Sequence, residues 1–200
     1  MNFELKYRVI PVLVLNDLDT GLKMCEVLCE NNLPVAEITF RTPCAAQIIR
    51  EARCRFPEMT LGAGTVLNVA DLERAIAAGA AFAVAPGFNP TVVRAARERN
   101  FAFAPGVCTP GEIEQAYELG CKFLKFFPAE AAGGVGMLKA LTAPYKHLGI
   151  KFMPTGGVTT ENAASYLALP EISCVGGTWL GKHIPDWEKT AETIRRAAAL

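Results

Sequence analysis

The sequence predicts an α/β fold, a single (β/α)8 TIM barrel spanning residues 1–200, on three observations. Short β-rich runs recur about every 23 residues, the length of one strand, one helix and two short loops. Amphipathic helical stretches fill the gaps, with no polar linker to mark a domain break. The segments Phe82–Pro90 (FAVAPGFNP) and Phe101–Pro110 (FAFAPGVCTP) repeat one strand–loop–helix unit. The eight predicted strands are Val9–Leu15, Val35–Phe40, Leu61–Val66, Phe82–Ala85, Phe101–Ala104, Phe123–Phe127, Lys151–Pro154 and Cys174–Leu180. An open doubly wound sheet is the rival. Against it, Gly62–Val66 (GAGTV) lacks the third glycine of a dinucleotide-binding turn.

Helix signals agree with that spacing. Asp17 is placed to cap Asp17–Asn31, and Val69–Gly79 ends on a glycine. Pro90 and Pro110 stand where a first helical turn tolerates proline. Glu112–Leu119 and Asp186–Ala199 complete the predicted set.

Composition narrows the classes of function. Hydrophobic residues make up 51% and charged residues 20% of the 200 positions, which excludes disorder and predicts a large buried core. Twenty basic residues balance twenty acidic ones, so no basic footprint for nucleic acid exists. The apolar run Val9–Leu15 is far shorter than the roughly 20 residues of a membrane span. No cleavable leader is read before it, and the expected location is the cytoplasm. The seven cysteines are odd in number and form no Cys-x-x-Cys pair, which reads as reduced thiols. With only His147 and His183 as imidazoles, a three-histidine metal site is impossible, and neither metal nor cofactor is expected.

The strand ends carry the polar and glycine-rich residues. Gly64-Thr65, Pro86-Gly87, Pro105-Gly106, Pro128, Thr155-Gly156-Gly157 and Gly176-Gly177-Thr178 each follow a predicted strand. In a barrel these ends meet on one face, where active sites lie. The glycine pairs after strands seven and eight suit a phosphate held by backbone N–H groups, although glycines also simply terminate strands.

Two charged positions interrupt apolar strands. In Phe123-Leu124-Lys125-Phe126-Phe127, Lys125 shares a face with two phenylalanines, and both faces of a barrel strand are buried. An unpaired ammonium there favours its neutral form, the requirement for a Schiff-base lysine; the alternative is a snorkelling surface lysine. On the second strand Glu37, Thr39 and Arg41 point one way. Strands two and six face each other across a barrel, so Glu37 could meet Lys125 and shuttle protons while Arg41 forks a carboxylate. A structural Glu37–Arg41 pair is the competing reading.

These motifs, VAEITFRT, GAGTVLN, AVAPG, APGVCT, KFFPAE, PTGGV and VGGTWL, in that order from about residue 9 to 182, resemble the strand ends of the 2-keto-3-deoxy-6-phosphogluconate (KDPG) aldolase family, often bifunctional with 4-hydroxy-2-oxoglutarate (KHG). The resemblance implies a homotrimeric class I aldolase acting on a phosphorylated keto acid. It implies Lys125 as the imine-forming lysine, Glu37 as acid/base, and Arg41 with Thr65 at the pyruvyl carboxylate. Phe127 and Thr155 would line the pocket with Pro86, and Gly156, Gly157, Gly177 and Thr178 would hold the phosphate. Thr178 replaces a serine common among family members. Residues at Phe40–Thr42 and Ala129–Glu130 favour the gluconate over the galactonate epimer. The first strand begins earlier than in many relatives, so a shortened or absent N-terminal helical cap is expected. A phosphosugar isomerase or epimerase, or a non-catalytic binding barrel, are the other readings of this scaffold.

Overall fold

A computed structural model describes residues 5–200. The expected shortening of the N-terminal cap falls partly on residues 1–4, outside the described residues. Among the described residues are nine parallel strand segments and eight α-helices. The strands are β1 (Val9–Leu13), β2 (Val35–Thr39), β3 (Thr60–Gly64), β4 (Phe82–Val84), β5 (Phe103–Ala104), β6 (Gly106–Val107), β7 (Phe123–Phe126), β8 (Lys151–Pro154) and β9 (Val175–Gly177). The first four helices are α1 (Leu18–Glu30), α2 (Ala45–Arg55), α3 (Val69–Ala78) and α4 (Pro90–Glu98). They are followed by α5 (Pro110–Glu118), α6 (Gly134–Thr142), α7 (Ala163–Leu167) and α8 (Trp187–Ala198).

Hydrogen-bonded pairing runs β5-β4-β3-β2-β1-β9 in one six-stranded sheet and β6-β7-β8 in another. Two isolated parallel bridges, Phe152 to Ile172 and Thr155 to Gly176, join β8 and its end to the segment that carries β9. The predicted fifth strand, Phe101–Ala104, is instead two short pieces flanking Pro105. Proline has no N–H to donate, so the ladder breaks there. Ala104 still accepts from Ala85 N–H, and the Pro105 carbonyl accepts from Lys125 N–H. The result is a curled, wholly parallel sheet with helices outside. Every residue of β1 and β2 is buried, as expected when both faces of a strand are covered.

Several predicted strands are shorter at their C-terminal ends. β3 stops at Gly64 because Thr65 turns into the left-handed region at φ 58°. The predicted Cys174–Leu180 strand ends at Gly177 and passes into a 3₁₀ turn over Trp179–Gly181. The Trp179 ring folds back onto Gly177, where a Cβ would lie 1.8 Å from it.

Helix ends follow their caps. The Asp17 and Asn68 side chains accept from Thr20 N–H and Asp71 N–H, both at 2.8 Å. Thr109 and Glu112 form a reciprocal capping box around the start of α5, with Pro110 in the first turn. Gly79 closes α3 at φ 83°. Helices α2, α6 and α7 were not individually predicted; α6 opens on Gly-Val-Gly, a weak helix former that tertiary packing overrides. No helix among the described residues is long and apolar enough to cross a membrane. All seven cysteines are free.

Candidate active site

The C-terminal ends of the strands converge on a cleft of about 440 Å³, its open mouth included. At its base β2 and β7 bring two charges together. Lys125 Nζ lies 3.0 Å from one carboxylate oxygen of Glu37 and 3.1 Å from the other. Glu37 is 1% exposed and Lys125 4%. The expected approach of Lys125 to Glu37 is found, and only the expectation of an unpaired ammonium in apolar surroundings is corrected. The amine is buried, but it has a carboxylate partner, because an isolated buried charge would cost several kcal/mol. Burial and pairing together keep the nitrogen out of bulk water and give it a proton acceptor within reach.

Room for that pair depends on a missing side chain. β2 pairs with β3 so that Thr39 lies beside Gly64. A Cβ on Gly64 would sit 2.1 Å from Glu37 Oε1 and 2.7 Å from its Cγ. Below the pair lies the buried Cys174, whose thiol is pushed well above its usual range, first by burial and then by the Glu37 carboxylate. It is a neutral thiol at ordinary pH.

The predicted residues distribute around this pair as follows. Arg41, Thr65, Pro86, Phe127, Thr155, Gly156, Gly157 and Thr178 all line the cleft that Lys125 enters. The Arg41 guanidinium is exposed and has no partner among the described residues, so the proposed Glu37–Arg41 structural pair is not formed. The Phe127 ring stands 6.0 Å from Lys125 Nζ. Thr39, on the same strand face as Glu37, turns its hydroxyl onto the Leu13 carbonyl at 3.0 Å and serves the sheet.

Two features of the wall show stored cost. Thr155 is 4% exposed, yet its Oγ1 finds no hydrogen-bond partner among the described residues. A buried unsatisfied hydroxyl costs about 1–3 kcal/mol unless a ligand completes it. Thr65, β-branched, holds a positive φ that such residues avoid, a strain of about 1–3 kcal/mol of a kind that clusters at functional sites. Gly177 is the exception among the predicted residues. It is buried within β9 under the Trp179 ring and is not part of the cleft wall. Val12 of β1, which pairs with Glu37, lines the cleft and was missed. β1 is apolar and buried throughout, so no pattern singles Val12 out, and a plain aliphatic residue does not announce a site.

Glycines shape the far end of the cleft. Gly156 and Gly157 adopt φ 99° and 79°. The Gly156 carbonyl accepts from Glu130 N–H at 2.9 Å, and the Gly157 carbonyl accepts from the Asn162 amide at 3.1 Å. Their own N–H groups donate to nothing among the described residues. Glu130 is not on the cleft wall. Its carboxylate accepts instead from the hydroxyl of the buried Tyr166.

Fold and site together define a class, a parallel β/α protein equipped for imine chemistry by a buried lysine–carboxylate pair. The chain belongs to the KDPG and KHG aldolase family, whose match extends over residues 3–193. The 2-dehydro-3-deoxy-phosphogluconate aldolase of Haemophilus influenzae is 46% identical over 192 residues, which cover 94% of this chain and 90% of that one. Among solved structures, the KDPG aldolase of Zymomonas mobilis ZM4 with 3-phosphoglycerate matches at a TM-score of 0.91 and 37% identity, covering 96% of this chain and 91% of that one. The KDPG aldolase of Legionella pneumophila, with pyruvate captured as a covalent carbinolamine, matches at 0.89 and 35%, covering 96% and 94%.

Proposed function

We propose that this chain is a class I aldolase that cleaves 2-keto-3-deoxy-6-phosphogluconate to pyruvate and glyceraldehyde 3-phosphate. The observation that carries this reading is the buried contact between Lys125 and Glu37 at the base of an otherwise open cleft. Glu37 takes a proton from the Lys125 ammonium, and the free amine adds to the substrate's C2 ketone. The carbinolamine hydroxyl takes that proton back from Glu37 and leaves as water, giving an iminium, an electron sink for the C3–C4 bond. Glu37, again a carboxylate, removes the C4 hydroxyl proton as that bond breaks, directly or through one water. Glyceraldehyde 3-phosphate departs, the enamine takes a proton at C3, and water hydrolyses the resulting imine to pyruvate and free Lys125. The iminium does the polarising, so no step calls for a metal.

Arg41, with Thr65 beside it, grips the carboxylate and turns the ketone toward Lys125. Thr155 offers its unpaired hydroxyl to the substrate, and Phe127 packs on the reacting carbons beside Pro86. Gly156, Gly157 and Thr178 receive the phosphate, two through free backbone N–H groups and one through a hydroxyl. Gly177 supports that end from within β9. KHG cleavage to pyruvate and glyoxylate uses the same lysine without the phosphate contacts.

The curled sheet is read as a closed (β/α)8 barrel forming one domain over residues 1–200. Supporting closure, β5 and β6 are separated by one residue, and a bridge joins the end of β8 to β9. A homotrimer in the cytoplasm completes the reading.

Borohydride reduction of the protein with pyruvate, followed by peptide mass analysis, tests the imine. A reduced pyruvyl adduct on Lys125 is expected, and an unmodified Lys125 refutes the mechanism. Lys125→Ala and Lys125→Arg both lose turnover and trapping, the second because a guanidinium stays protonated.

A further inference from the structure

The KFFPAE segment contributes more than its lysine. Between β7 and α6 the chain makes a turn through Pro128, Ala129 and Glu130, and this turn is the bed on which the Gly156-Gly157 corner rests. A Cβ on Gly156 would lie 3.2 Å from both the Phe127 ring and Pro128 Cα, and one on Gly157 would lie 2.6 Å from Glu130 Cβ. Two backbone bonds, Ala129 N–H to the Thr155 carbonyl and Glu130 N–H to the Gly156 carbonyl, join bed and corner at 2.8 and 2.9 Å.

One side-chain contact ties the bed to the helix beyond the corner. Tyr166 of α7, the helix that follows the glycine corner, is wholly buried and gives its hydroxyl proton to the Glu130 carboxylate. The chain thus loops from bed to corner to helix and back to bed, and this hydrogen bond closes the loop. Gly134 lies against the same spot, its Cβ position 3.3 Å from Glu130 Oε1 and 3.6 Å from the Tyr166 hydroxyl.

We propose that Glu130 and Tyr166 are positioning residues for the phosphate of the substrate. They touch no reacting atom. Their hydrogen bond fixes the turn that presents the free N–H groups of Gly156 and Gly157, and so sets the preference for phosphorylated keto acids. This rests on the reading that the glycine corner receives the phosphate. It assigns Glu130 an indirect part in substrate choice, acting through the backbone it holds.

Burial and the neighbouring carboxylate both push the Tyr166 phenol upward, so it remains a proton donor throughout the working pH range. Tyr166→Phe deletes the donor with minimal change of shape. Glu130→Gln keeps an acceptor oxygen and is the conservative partner variant.

The test compares a phosphate-dependent and a phosphate-free step in the full chain. In Tyr166→Phe, KM for KDPG and the inhibition constant of inorganic phosphate rise together by about tenfold, the loss expected from one hydrogen bond to a charged group. The kcat value and the rate at which pyruvate methyl protons exchange with deuterated water stay at wild-type levels. Glu130→Gln lies between the two proteins. Amide exchange over residues 155–158 quickens in Tyr166→Phe without any ligand. A parallel fall in pyruvate exchange, or unchanged KM and phosphate inhibition, overturns the proposal. Wild-type protein indifferent to inorganic phosphate would show a different failure, that of the phosphate cradle itself, and the proposal falls with it.

Discussion

Gly64→Ala places a methyl group where the Glu37 carboxylate now lies. At 2.1 Å from Oε1 and 2.8 Å from Cδ, the new carbon is more than 1 Å inside any tolerable contact, and β3 backbone anchors it. Glu37 is the part that can move. A retreat of about 1 Å stretches its 3.0 Å contact with Lys125 beyond hydrogen-bond range. A displacement of that size in a catalytic group costs about 100-fold in rate. Overpacking adds about 1–3 kcal/mol of lost stability. The assay couples pyruvate release from KDPG to lactate dehydrogenase, with thermal unfolding run alongside. Gly87→Ala serves as the control, since a Cβ there meets nothing within 4 Å. Wild-type kcat in Gly64→Ala would refute the argument that the pair's geometry hangs on an absent side chain.

Thr155→Val is isosteric and removes the unpaired hydroxyl, so the ligand-free protein should gain up to about 1–3 kcal/mol by chemical denaturation while kcat/KM for KDPG falls. A loss of stability would count against the orphan-hydroxyl argument. The Cys25 thiol is pushed up to about 12 by burial, against an ordinary value of 9.0. The unfolded chain therefore sheds that proton first. Stability is fully present below about pH 9 and declines as pH rises toward 12. Denaturant midpoints of Cys25→Ala should fall less steeply across that window, and parallel curves would contradict it. Thr109→Ala breaks the capping box of α5 and should cost about 1 kcal/mol of stability with unchanged KM.

The legible part of the site was the part written as anomaly. Lys125 amid phenylalanines and Glu37 amid aliphatics break the hydrophobic pattern of their strands, and the pattern itself implies that they face inward. Recurring strand–helix spacing gave the parallel fold, and the caps Asp17, Gly79 and Asp186 marked helix ends to within a residue or two. Other contacts between distant segments were not legible. The single contact made by Gly64 with Glu37 depends on strand register, which sequence spacing alone does not specify. Nor does any local signal tie Tyr166 to Glu130, 36 positions earlier. Pro105 was visible as a strand breaker, but the continuation into β6 was not, because two-residue strands leave no periodicity. The meeting of Glu37 and Lys125 was legible, because facing strands with inward charges imply it, and the 3.0 Å contact is the outcome. Only the description of the ammonium as unpaired failed, since burial of the lysine was argued apart from the charge of Glu37.

The Trp179 ring packs against Gly177, one position from Thr178 at the cleft wall, and its indole Nε1 is buried with no partner among the described residues. The chain's other tryptophan, Trp187, begins the last helix. The protein therefore carries its own optical gauge. With the phosphate received at Thr178, a dianion would sit one residue from this half-buried indole, and its emission is expected to shift as the cleft fills, a readout that needs neither label nor coupling enzyme.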